Sequence, residues 1–261
     1  MPLPAALQNS LQQYQPSGFI DDLQLRWQGA QPSFQDFAIA ARVTDVQFAA
    51  HDKNPGITRL SGTVRGDEKS GVFDISGNAM QIQMPRVFRE TLRIDALQGR
   101  GAWKKRGQAT VVTLHKMDFA NADAAGSLLG SYETGSSKLG KIDLSGRLTR
   151  GNGTAVYRYM PHVVHDDTVN WLRRGILAGT SNDTRLTLKG DLNRFPFDGD
   201  KDGVFKVEVV ANNAVVDYAE GWPRIEGASG RIVFHGRRME VLADQGRIFN
   251  THLGPVKAMI P

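Results

Sequence analysis

The sequence predicts a mainly β protein: a long meander of antiparallel hairpins with two short helices. Three observations carry this. First, apolar and polar residues alternate in many short segments, the period of a half-buried strand. Second, five such segments share one frame around a glycine: "ITRLSGTV" (57–64), "IDALQGRG" (94–101), "KIDLSGRL" (141–148), "RLTLKGDL" (185–192) and "RIEGASGRI" (224–232). Third, 28 glycines and 11 prolines supply turns throughout, and most of these segments run through a turn into a second apolar stretch.

In chain order, "PAALQNSLQQYQ" (Pro4 to Gln15) reads as a helix, with leucines at 7 and 11 and Gly18 beyond its end. "GDEKSG" turns the first glycine strand into "VFDISG", and "KKRG" turns the second into "QATVVTL". "TRGNG", with Gly151 to Gly153 as a hairpin turn, leads into "TAVYRYM" as a further strand. Asp166 to Gly179 reads as the second helix. Asp166 or Asp167 caps its start, Val169, Leu172 and Ile176 share a face, and Gly179 ends it. Gly175 inside it lowers its propensity. The strand ending at Leu192 is followed by Phe195-Pro196-Phe197 and an acidic turn, and "HGRR" closes the last hairpin before "MEVLADQG". The repeated glycine lies on the apolar face of its strand. It marks either a bend in a twisted sheet or a place where a ligand approaches the backbone.

The two helices share a context. Each follows Met-Pro and precedes a glycine, a turn and an alternating strand, with Pro2 matching Pro161 and Gly29 matching Gly190. This reads as a duplication of about 160 residues. It divides the chain into a unit at 1–159 and a shortened second unit at 160–261, with a sheet that can run on across the boundary.

Little in the chain points to catalysis. There is no cysteine, which excludes disulfides, thiolate metal sites and cysteine nucleophiles. His162 and His165 stand beside Asp166 and Asp167, but a zinc site needs more convergent ligands and those carboxylates suit a helix start. Asp198, Asp200 and Asp202 alternate without the glycine and glutamate placement of a calcium loop, and read as a solvated turn. His51, His115, His235 and His252 are isolated. No catalytic, cofactor-binding or metal residue is assigned and no cofactor is expected. The charge excess of 32 − 27 = 5 is spread along the chain. "KKRG" (Lys104 to Gly107) is its densest spot and reads as a solvated hairpin, so nucleic acid is not the expected partner. No apolar run is long enough to span a membrane, and "MPLPAALQNSLQQYQ" lacks the pattern of a signal peptide. Both ends read as cuts through a longer protein.

Apolar strand face is abundant. Leu60, Val64, Leu144, Leu148, Leu186 and Leu188 fall on one side of their strands. So do Leu192, Phe205, Val207, Val209, Ile232 and Phe234. Two short helices cannot roof so much sheet, so it must close on itself as a sandwich or barrel, or curl around something apolar. Phe195 and Phe197, held around a proline that cannot donate to a central ladder, fall at a strand end. There they form an apolar rim or plug the end of a core.

The region from "VNWLRRGILAGTSNDTRLTLKGDLNRFPF" onward resembles the YhdP family of AsmA-like proteins. The matching features are Trp171-Leu172, Gly179, the strand ending at Gly190 and Phe195-Pro196-Phe197. They continue with Gly203, Phe205, Tyr218-Ala219, Gly221-Trp222-Pro223 and the strand containing Phe234. The match covers residues 160–261; earlier residues match in style, through their hairpins. The resemblance implies an open, taco-like β-groove and a periplasmic portion of a long, inner-membrane-anchored protein of Gram-negative bacteria. It implies bridge-like transport of phospholipid between the two membranes, outer-membrane biogenesis as its setting, and no catalytic residues. The partners implied are phospholipid, and membranes through other parts of the full-length protein. The competing expectation is a non-enzymatic structural or adhesive β-sandwich without a lipid ligand.

Overall fold

The computed structural model describes residues 9, 12–27, 37–52, 54–135, 137–197 and 202–260. The first helix expected falls largely outside these residues, and only 9 and 12–14 are seen as helical. The acidic turn at 198–201 and Gly29 also lie outside them.

All strands join one antiparallel sheet. They are β1 (Ser17–Trp27), β2 (Phe37–Phe48), β3 (Gly56–Asp67), β4 (Ser70–Gln83), β5 (Leu92–Arg106), β6 (Ala109–Ala120) and β7 (Ala124–Thr134). Then come β8 (Lys141–Asn152), β9 (Ile176–Asp191), β10 (Gly203–Val216), β11 (Ile225–His235) and β12 (Arg238–Ile248). The last are β13 (Thr251–Leu253) and β14 (Val256–Ile260), both on the outer side of β12. Order in space follows order in sequence, and the two edges do not meet. The sheet is therefore open, and the sandwich and barrel expectations are set aside. Beyond marginal contacts, each strand meets only the strands it pairs with.

The second helix, α1 (Asp166–Gly175), lies between β8 and β9 and is shorter than expected. Ile176 to Gly179 already belong to β9, where β-branched Ile176 fits the pleat better than a helix end. Its N-cap is His165, whose Nδ1 accepts from the Asp167 N–H at 3.4 Å; Asp166 and Asp167 occupy the first turn. "TAVYRYM" is not a strand: Gly153–Tyr159 forms a 3-10 helix. The Asn152 side chain accepts from Thr154 N and starts that helix, so Gly151 to Gly153 is a strand-to-helix junction rather than a hairpin turn. Leu192 also leaves its strand, because Asp191 caps a second 3-10 turn at Leu192–Arg194.

β-Bulges mark β1 to β4, and again β10, near the ends of the strands that lead into the longer connections. Asp22, Asp45, Arg59, Ala79 and Asn213 are left-handed, with φ between 49° and 56°, and the register shifts beside Asp22, Asp45, Arg59 and Asn213. Hydroxyls brace two of them: Ser61 Oγ accepts from Asp45 N at 3.0 Å and Ser229 Oγ from Asn213 N at 3.1 Å. Each bulge bends its strand, so those on β1 to β4 together crease that part of the sheet. Inside the crease, buried Met80, Ile94 and Leu97 pack with Ile57, Leu60, Ile75, Ile82, Met117 and Phe119, which come from both sides of the bulge line.

The same geometry occurs twice. The pairs Ser17↔Gln47, Phe19↔Thr44 and Leu25↔Ile39 reappear as Ala178↔Val215, Thr180↔Asn212 and Leu186↔Val207. The first member is displaced by 161 residues (178 − 17) and the second by 168 (215 − 47). Val43↔Gly62, Val46↔Leu60 and Phe48↔Ile57 recur 168 residues on as Ala211↔Gly230, Ala214↔Ala228 and Val216↔Ile225. The extra seven residues fall in the connection that carries Phe-Pro-Phe.

Close strand approach at Gly62 gives a testable expectation. A Cβ there would run into the Asp74 carbonyl oxygen of the neighbouring backbone. Gly62→Val is expected to destabilise the sheet by about 2–3 kcal/mol, read from the urea midpoint. Gly254→Val, where a Cβ meets nothing within 4 Å, should leave that midpoint nearly unchanged.

Candidate functional site: an uncovered apolar face

Register decides which side chains share a face, because paired residues project to the same side. One row runs Val43, Gly62, Ile75, Gly99, Met117, Leu128, Gly146, Leu186, Val207, Phe234, Met239. Beside it runs Ala41, Val64, Phe73, Gly101, Leu114, Gly130, Leu144, Leu188, Phe205. A third row runs Val46, Leu60, Gly77, Leu97, Phe119, Gly126, Leu148, Thr184, Val209, Ile232, Val241. No ionisable residue stands in these rows. The opposite face carries the charges, many in ion pairs such as Lys189–Asp143 at 2.8 Å and Arg147–Asp183 at 2.9 Å.

Eleven of the twelve leucine, valine, isoleucine and phenylalanine positions expected to line a groove fall in these rows. Leu192 is the exception, in its 3-10 turn with its N–H donated to the Gly140 carbonyl. All twelve are only half buried. The chain exposes 17017 Å², against about 11,300 Å² for a compact monomer of this mass. That excess fits a sheet whose apolar face has no second layer among the described residues.

On this face several glycines are covered by a side chain from a nearby strand or, at Gly77, from the same strand. The Trp103 ring lies across Gly66 and Gly71, Phe73 across Gly101, Met80 across Gly77, and Leu128 against Gly146. Covering a glycine brings a ring down flat onto the sheet, which protects the backbone and keeps the space above it clear. The glycines are therefore not empty gaps. They are seats, and at Gly62 and Gly230 sites of close backbone approach.

The two phenylalanines divide the roles expected of them. Phe197 is 4% exposed and seals Gly190 and Gly203, so it is a plug. Phe195 is half buried, tilted on Phe205 with ring centroids 5.0 Å apart and edge-on to Phe197 at 6.0 Å, and continues the apolar face to its margin. Phe73, Met117, Leu114, Leu128 and Trp103 were missed. In "QATVVTLHKMDFA" adjacent apolar residues hide the phase, and the register shift between Leu114 and Met117 moves it by one residue. The spaced glycines 99, 101, 126 and 130 are the signal that marks these strands.

At the margin with the longer connections, the β4–β5 loop meets the β8–β9 connection. Phe88 and Pro161 form an isolated bridge, and His162 N–H donates to Val87 O at 2.9 Å. Arg89 donates to the carbonyls of Met160, Pro161 and Val164 and to the Asp166 carboxylate at 2.6 Å. Beside it, buried Asn121 holds the β6–β7 turn and bonds the Tyr159 hydroxyl, which donates to Asp123 at 3.0 Å. Desolvation pushes the Tyr159 phenol up, and the Tyr157 hydroxyl with Asp123 raises Arg158. Every resolved shift moves its group away from neutrality, so none of these groups is tuned for proton transfer near pH 7. Among the described residues, no group of three or more His, Asp or Glu is placed to hold a metal ion, and no helix is long and apolar enough to cross a membrane.

Comparison with protein families matches the YhdP protein family over residues 1–261, the whole chain. No curated protein and no solved structure matches.

The Arg89 clamp is testable by pH. The hydrogen bond from Arg89 and its charge hold the Asp166 carboxyl below its ordinary value of 3.8. The stabilisation is complete above that value and is lost as pH falls through the folded value. Hydrogen-exchange protection factors at residues 160–166 should fall on acidification, and Asp166→Asn should lower them at neutral pH while removing the acid-dependent part.

Proposed function

Because the chain belongs to the YhdP family, we propose that it is a lipid-conducting segment whose uncovered apolar face carries phospholipid acyl chains. The observation behind this reading is the set of three uncharged rows crossing the sheet with no protein layer over them. At ~4.8 Å between strands, β1 to β13 span about 58 Å. One leaflet's acyl chain, ~15 Å long as half a bilayer core, covers about three strands. Each CH₂ taken from water contributes about 0.8 kcal/mol, so leucine and valine rows hold a chain without polar contacts. Successive strands present similar surfaces, so a chain sliding along the rows meets little barrier.

In this reading the headgroup stays at a margin of the sheet. The hairpin-turn margin carries exposed Lys69, Lys104, Lys105 and Arg106, with Lys105 N–H bonded to Lys69 O at 2.7 Å. These cations face anionic headgroups in the proposal. We further place the chain in the periplasm, as part of an inner-membrane-anchored protein that passes phospholipid toward the outer membrane, without enzymatic activity. We divide it into units at 1–159 and 160–261.

Protein purified from cells is expected to carry phospholipid, detected by mass spectrometry after extraction. Leu188→Lys and Phe234→Asp should lower that load several-fold with β circular dichroism retained, while Thr187→Lys, on the charged face, should not. A folded wild-type protein free of lipid would overturn the proposal.

A further inference from the structure

The repeat identifies what the free edge of β1 accepts. β1 pairs with β2 in the register with which β9 pairs with β10. Gly18 (φ 126°) approaches the Cα of Val46, and Gly179 (φ 137°) approaches the Cα of Ala214. β1 and β9 are thus the same strand in two settings, with one difference. The other edge of β9 is paired with β8 from Thr180 to Asp191, whereas that edge of β1 has no partner strand among the described residues.

The apolar residues of β1 record the vacancy. Phe19 is 68% and Ile20 62% exposed, and Leu23 and Leu25 are also exposed. Such an edge offers a row of backbone donors and acceptors together with apolar side chains, the two requirements of strand addition. We propose that the β1 edge is a docking site for an extended, antiparallel strand of β8 type, with apolar residues and glycine alternating on one face and polar residues on the other. Its register follows from β8 on β9. Leu186 faces Gly146 and Thr184 faces Leu148, so Leu25 takes the glycine of the incoming strand and Leu23 its following leucine.

The other edge is of a different type. Leu253 faces Gly246 and Ile260 faces Met239, as Ala96 faces Asn78 and Trp103 faces Gly71. β13 and β14 therefore stand where β5 stands in the first unit, and their free side calls for a β6-type strand. A second copy joined β1 to β14 would put the wrong strand types together. The inference does not depend on lipid binding, since the free edge is read from pairing alone.

The probe is a synthetic peptide of β8, Lys141 to Asn152. Because the chain has no cysteine, a single Leu25→Cys variant reports register by disulfide formation. The peptide carrying Gly146→Cys is expected to cross-link at least about tenfold faster than one carrying Arg147→Cys, since a one-residue slip turns that side chain to the other face. Exchange protection should rise in β1 and not in β14, and a scrambled peptide should give neither effect. Equal cross-linking in both registers, protection at β14, or no binding by the β8 peptide overturns the proposal. So does concentration-dependent protection of β1 by the protein alone, which would make a second copy the occupant. Lipid analysis of the same sample is an independent readout, so failure here leaves the proposed function standing or falling on its own test.

Discussion

The structure depends on one constraint: a single-layer sheet with an apolar face and, among the described residues, no second layer to bury it. In most domains a sheet gains its stability by packing that face on helices or on another sheet. Here the strands touch little beyond their ladder neighbours, and buried apolar residues are few, with Met80, Ile94 and Leu97 forming the cluster at the crease. Stability must therefore come from the ladders, from cross-strand packing within the face, and from ties at the margins such as Arg89.

The glycines are best understood from that constraint. In a packed sandwich, side chains stand up from the sheet to meet the opposing layer. Where nothing opposes them, a standing aromatic ring would expose both its faces to water. A glycine on the next strand lets the ring lie down instead, as Trp103 does over Gly66 and Gly71 and Phe197 over Gly190 and Gly203. The ring buries one face against backbone and the glycine backbone gains a cover. The cost is the strand propensity lost at each glycine, and the result is a low apolar surface that stays clear above.

Much of this was legible in the sequence. Period-2 alternation identified the strands, and the five aligned glycines lie on β3, β5, β8, β9 and β11. Eleven of the twelve positions expected to line a groove share a face because a strand's period is short and regular. The misses have local causes. "TAVYRYM" alternates like a strand, but the Asn152 cap drew it into a 3-10 helix. Leu192 continues the alternation of β9, and the Asp191 cap ends the strand just before it. β6 hid its phase behind a bulge. The open character of the sheet was not legible from alternation, because a strand facing an empty groove and one facing a second sheet have the same pattern. Only the family resemblance pointed to it.

The bulges bear on the proposed function. A cargo held by area alone feels each change in the shape of the surface as a barrier. In the first unit the bend lies between the Val43 row and the Val46 row, and in the second it lies beyond the Val209 row, so it shifts sideways relative to the rows. Left-handed Asp45 and Arg59 reappear at the same sequence offset as Asn213 and Gly227, with Ser61 and Ser229 bracing Asp45 and Asn213 alike. Arg59 and Gly227 share a backbone conformation but no side-chain chemistry, so what recurs is the bend. The repeat thus keeps the bend at one place in each unit, and the rows that cross the sheet pass it at different heights in the two units.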